Sequence, residues 1–184
     1  MLGSLTIEDS IISDNRATLG GGVYAASGTV TITGSTLELN QADKEGAGAY
    51  VHADASLTIE RSSVVGNQAG IQGGGVETHG DLVVVDSTFS GNRVDTFGGA
   101  GIGVNLGATL DMSGSLLHAN VGNLNGGGLF NNGEATIVNS TLTANEAMRG
   151  GAIFSSSNAA AVTRLSFSTV AWNSAVTRAG ASGI

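Results

Sequence analysis

The chain has 184 residues, a formal net charge of −8, and 30 Gly with neither Pro nor Cys. Lacking Cys, it has no disulfide framework and no thiolate-based metal or nucleophilic site. Its seven Lys plus Arg are scattered singly, so it has no basic stripe to neutralise nucleic-acid phosphates or anionic lipid.

The first element is Leu5-Thr6-Ile7-Glu8, a period-two alternation that predicts a strand with one buried face. It runs into Ser10, Ile12 and Asn15, then a short link, then Gly20-Gly21-Gly22-Val23-Tyr24. The unit then recurs along the chain. Asn15, Asn40, Asn67, Asn92, Asn120, Asn145 and Asn173 are separated by 25, 27, 25, 28, 25 and 28 residues, by subtraction. Five residues before each Asn stands Ser10, Ser35, Ser62, Ser87, Ser115, Ser140 or Ser168. Three before stands an apolar residue, from Ile12 and Leu37 to Leu142 and Val170, and eight before another, from Ile7 to Leu165. Later Gly-rich segments include Gly73-Gly74-Gly75-Val76, Gly126-Gly127-Gly128-Leu129 and Gly150-Gly151-Ala152-Ile153.

No segment shows a 3.6-residue period, and nothing between strands is long enough for a βαβ helix. The pattern predicts an all-β fold: one right-handed parallel β-helix (solenoid) of about seven coils of 25–28 residues, with three short strands per coil. Residues 1–184 are expected to form a single domain, a segment of a larger protein. The Asn column is read as a structural ladder in a turn, with left-handed φ at Asn and its amide bonded to the Asn above. The small column Ala17, Ala42, Ala69, Val94, Gly122, Ala147, Ala175 is expected where the chain turns near the axis. The Gly pairs suit a corner with positive φ or a close approach between coils. From the Gly-strand apolar residue to the next repeat start the steps are 7, 8, 6, 8, 6 and 10 residues, so extra residues should bulge on one edge.

The repeats, with Phe89-Ser90-Gly91-Asn92 and Gly150-Gly151-Ala152-Ile153 as the fullest matches, resemble those of chlamydial polymorphic outer membrane proteins and β-helical autotransporter passengers. The likeness spans the chain. It implies export and display at a cell surface, although no signal-like segment precedes Leu5.

Sugar-cleaving enzymes share this fold and need carboxylates clustered on one outer face. Stacking the columns brings only Glu60, Arg61 and Asp86 into adjacent coils, and a solvated ion pair is the simpler reading. A second column, Ala26, His52, His79, Asn105, Asn132, Ser156, places two imidazoles one coil apart at the rim. With no third ligand, a polar ladder is the simpler reading there too. No catalytic residue, metal site or cofactor is assigned.

The leading expectation is a non-catalytic structural or adhesive rod module of an exported bacterial protein. Its partners would be itself, a host or cell surface, or a polysaccharide. Nucleic acid is not expected, nor membrane insertion by this segment, since no apolar run reaches the roughly 20 residues that span a bilayer. The alternative is a polysaccharide-active or carbohydrate-binding fragment. Edge-blunting Pro is absent and Lys nearly so, so the rod is also expected to associate end to end into filaments.

Overall fold

The computed structural model describes residues 3–176. Residues 1–2 and 177–184 lie outside the described residues. The first coil is laid down by β1 (Ser4–Glu8), β2 (Ile11–Ser13), β3 (Arg16–Leu19) and β4 (Val23–Ala25). The coils that follow repeat this order, except that among the described residues the fifth has a single bridge at Val121 in place of a third strand and the seventh has no counterpart of β4, and the strands pair in parallel with their counterparts one coil away. Two seven-stranded sheets grow from β1 and β2, and a six-stranded sheet from β4. At the ~4.8 Å spacing of paired strands the rod is roughly 35 Å long.

The register follows the repeat. Leu5 pairs with Val30, Val30 with Leu57, Leu57 with Leu82, and Leu82 with Leu110. Because side chains alternate in a strand, this register turns Ile32, Ile59, Val84, Met112 and Ile137 inward as well. The main core runs through the rod from Val23 to Ala152. A smaller cluster of Ala42, Ala47, Ala69, Val94 and Ala100 fills the narrow corner beside the β3 sheet. The small column of the sequence faces this corner, where larger side chains would hold the walls apart.

The coil carries more pairing than three strands. The link after each Asn is itself paired: a four-stranded sheet from β3 runs to Arg93–Val94, single bridges through Val121 carry the column on to Glu146, and Glu146–Ala147 pairs with Ser174–Ala175. The inward Ala side chains let this link lie close enough to its neighbours to join the ladder. The extra residues of longer coils sit between the β4 and β1 sheets, outside strands, as in Asn105–Ala108 and the segment 156–161.

The left-handed residue is not the Asn but the one before it, a correction to the turn expected from sequence: φ is 57° at Asp14, 55° at Leu39 and 62° at Gly66 and Gly91. The residue before each Ser does the same, from Asp9 (44°) to Phe167 (51°). These two corners bend the chain, and the Asn and Ser then point inward to bond the neighbouring coil. Asn67 shows the pattern: its backbone N–H and Nδ2 both donate to Asn92 Oδ1, each at 3.0 Å, and Nδ2 also donates to the Leu37 carbonyl. The Asn column is therefore a ladder, with Asn40, Asn67, Asn92, Asn120 and Asn145 fully buried and Asn15 and Asn173 at its two ends. Parallel to it runs a Ser ladder, in which Ser35 N–H donates to Ser62 Oγ at 3.0 Å, and Ser62 N–H to Ser87 Oγ.

The two sequence motifs are physically one device. A Cβ on Gly48 would come within 3.3 Å of Asn67 Nδ2, and on Gly101 within 3.2 Å of Asn120 Nδ2. At Gly22, Gly48, Gly75, Gly101 and Gly128, the Gly just before the β4-sheet strand leaves the room that the Asn of the next coil occupies.

Candidate functional site

The sites proposed from sequence separate on the surface. His52, His79, Asn105 and Asn132 do fall in one column, since the His52, His79, Asn105 and Asn132 N–H groups each bond the neighbouring coil at the end of the β4 sheet. The imidazoles turn apart: His52 Nδ1 lies 3.5 Å from Asp54 Oδ2, and His79 Nε2 lies 3.5 Å from Glu45 Oε2. Asn132 accepts a 3.4 Å hydrogen bond from Asn158. On the other flank, Arg61 pairs with its chain neighbour Glu60, while Asp86 leans over Gly114. His118 is exposed on the β2 sheet.

The structure gathers a different group on the outer side of the β4 sheet. Its middle column reads Tyr24, Tyr50, Glu77, Gly103, Phe130, Phe154. Tyr24 and Tyr50 stack at 5.2 Å, Phe130 and Phe154 at 5.7 Å, and Phe97 meets Phe130 edge-on at 5.1 Å. Between the aromatic pairs lies Glu77, completely buried, its Oε2 over the bare Cα of Gly103. Oε1 accepts from Gln72 Nε2 at 2.8 Å and Asn105 Nδ2 at 2.9 Å, while Oε2 has no partner among the described residues. Asn105 Nδ2 also lies 3.2 Å from His79 Nε2, so Glu77, Asn105, His79 and Glu45 form a chain from interior to surface.

Burial above all, and then the charge of Glu45, raise the Glu77 carboxyl well above its ordinary value, with the Asn105 hydrogen bond opposing. Burial and then Glu45 also push the Tyr50 phenol up to about 12. A raised carboxyl near a second acid is an arrangement used for proton transfer, but Glu77 is sealed from solvent and is linked to Glu45 through Asn105 and His79. No cluster of three or more His, Asp or Glu among the described residues has metal-ligating geometry.

The sequence held a signal for this group. The middle column is aromatic except for one acid and one Gly, and that acid beside a Gly marks the buried carboxyl. A second polar feature is a cleft of about 250 Å³ along the β3 sheet, lined by Arg16, Gln41, Asp43, Gln68 and Asp95. Its charges are matched: Arg16 bonds Asp43 at 2.8 Å, and Gln68 and Arg93 both bond Asp95.

Set beside known proteins, residues 3–169 match a family described as right handed beta helix region. No curated protein and no solved structure matches the chain. The matched span takes in nearly every coil of the rod, and the chain belongs to the right-handed β-helix family.

Proposed function

We propose that the chain is a non-catalytic structural or adhesive rod module of an exported or cell-surface bacterial protein, offering its flat sides to a host surface or a polysaccharide. The observation that supports this reading is the constant coil-to-coil register of the sheets that grow from β1, β2 and β4, with Asn and Ser ladders running beside them. Such a body holds its sides rigid and repetitive, as an adhesive face requires. Kinship with polymorphic outer membrane repeats rests on Phe89–Asn92 and Gly150–Ile153 and is part of the same proposal. The test is to present the purified chain to immobilised glycans and to intact host cells while assaying polysaccharide cleavage. Saturable binding without product release is expected; turnover of a uronate polymer would overturn the reading.

One observation favours the alternative of a polysaccharide-active or carbohydrate-binding fragment: the run Glu77–Asn105–His79–Glu45 beside Tyr24 and Tyr50. If that reading holds, Glu45→Gln and His79→Gln abolish product release or glycan binding while leaving the fold intact.

A further inference from the structure

The corner between the β3 and β4 sheets carries an apolar ridge along the side of the rod. Bridges from Glu45 to Gln72, Gln72 to Gly98, Gly98 to Asn125 and Asn125 to Arg149 fix the register of five successive coils there. One residue earlier in each coil stand Lys44, Ile71, Phe97, Leu124 and Met148, which therefore form one column. The backbone agrees: the Ile71 N–H donates to the Lys44 carbonyl, Phe97 to Ile71, and Leu124 to Phe97. Ile71 is 38% exposed, and Phe97, Leu124 and Met148 are half-buried. Phe97 meets Phe130 edge-on, and Phe130 stacks on Phe154, so the ridge has an aromatic footing. None of its four apolar residues belongs to either core cluster. Four apolar side chains that serve no core, spread over three coil spacings of ~4.8 Å, mark a contact surface.

The charges beside the ridge are polarised. The adjoining column begins with the acid Glu45 and ends with the base Arg149, and Gly98 is its midpoint. Arg149 is exposed and makes no ion pair among the described residues, while Glu45 leans on His79 at 3.5 Å. A column with an acid at one end and a base at the other complements its own reverse.

We propose that this corner is the interface of an antiparallel two-fold dimer with a second copy of this chain. A two-fold axis lying across the rod at Phe97 lays each column on its own reverse. Phe97 then meets Phe97, Ile71 meets Leu124, the stem of Lys44 covers Met148, and Arg149 meets Glu45. Parallel pairing would instead set Lys44 against Lys44, and Asp43 against Glu45 across the axis, so charge selects the antiparallel arrangement. An apolar centre within a charge-matched rim is the anatomy of a specific interface, and Phe, Met and Arg are the residues such interfaces favour. The contact is isologous and closes at two copies. It uses the side of the rod and goes beyond the rod-module reading, which neither requires nor forbids it.

Sedimentation velocity of the full 184-residue chain over a dilution series reads the association. A monomer–dimer equilibrium that stops at two copies is expected. Leu124→Lys weakens it about tenfold or more with an unchanged Tm. Arg149→Glu, which sets acid against Glu45, weakens it likewise, and the double variant E45R/R149E restores it. Because the chain has no Cys, single Cys variants report the register. Thr96→Cys, beside the axis, gives a disulfide-linked dimer, whereas Lys44→Cys does not, its two copies lying about 19 Å apart across four coil spacings. Monomers at every concentration, growth beyond two copies, a parent-like dimer of Leu124→Lys, failure of E45R/R149E to recover what Arg149→Glu loses, or any other crosslinking pattern would overturn the pairing. The rod-module reading fails separately, on polysaccharide turnover.

Discussion

At the scale of the residue, the two most informative side chains are a buried amide and a buried acid. Asn92 Oδ1 receives two bonds from Asn67, and its Nδ2 serves both Val64 O and Asn120 Oδ1. Replacing it by Leu leaves the Asn67 N–H and the Val64 carbonyl unpaired in the core, at a cost on the order of 1 to 3 kcal/mol. A lowered Tm checks this, and an unchanged one would dismantle the ladder. Glu77 makes an opposite kind of prediction. Its folded-state value lies above the 4.5 of a free carboxyl, so folding takes up a proton between the two. Its contribution to stability is fully present below about pH 4.5 and is lost as pH rises through the folded-state value. Glu77→Gln keeps an oxygen for Gln72 and Asn105 and removes the titration. Thermal melts from pH 4 to pH 9 should coincide at the acid end and diverge in favour of the variant at the alkaline end.

At the scale of the element, the coil separates what is fixed from what is free. The eleven residues from Leu82 to Asn92 carry two left-handed corners and two ladder residues, so one added residue there turns the apolar set outward. The segment 156–161 lies outside strands, and removing Ser157 to Ala160 is expected to lower the Tm far less than a single insertion in that eleven-residue stretch. Gly75 is the counterpart inside the coil: a Cβ there meets Phe89 at 3.1 Å and Asn92 Nδ2 at 3.3 Å. Gly75→Val is expected to cost about 1 to 3 kcal/mol by overpacking, read from denaturant melts. Much of this was legible in the chain itself. Columns of Leu, Ile and Val at a constant offset from Asn name their partners, because a parallel coil pairs each residue with its homologue one turn on. The β3 strands were not legible, since Gln68-Ala69 and Arg93-Val94 are too short to show a period. Nor was the left-handed residue, which Asp14, Leu39 and Ala119 occupy without any common chemistry. Glu77 stands out only once the coils are stacked into columns, because its environment comes from Gln72 in its own coil and Asn105 in the next, which no local motif records.

At the scale of the whole molecule, the hydrogen bonds between coils lie along the long axis of the rod while the covalent chain runs around it. Tension on the two termini would therefore load those bonds one coil at a time, in the geometry of a zip and not of a sheared sheet. Each release frees a coil of 25–28 residues, which adds roughly 80 Å of contour once the ~4.8 Å it spanned when folded is subtracted. The rod would act as a tether that lengthens by steps of nearly constant size at modest force, holding a load in place by yielding to it. Single-molecule pulling should show a ladder of such steps, the coils of 27 and 28 residues giving slightly longer ones than those of 25.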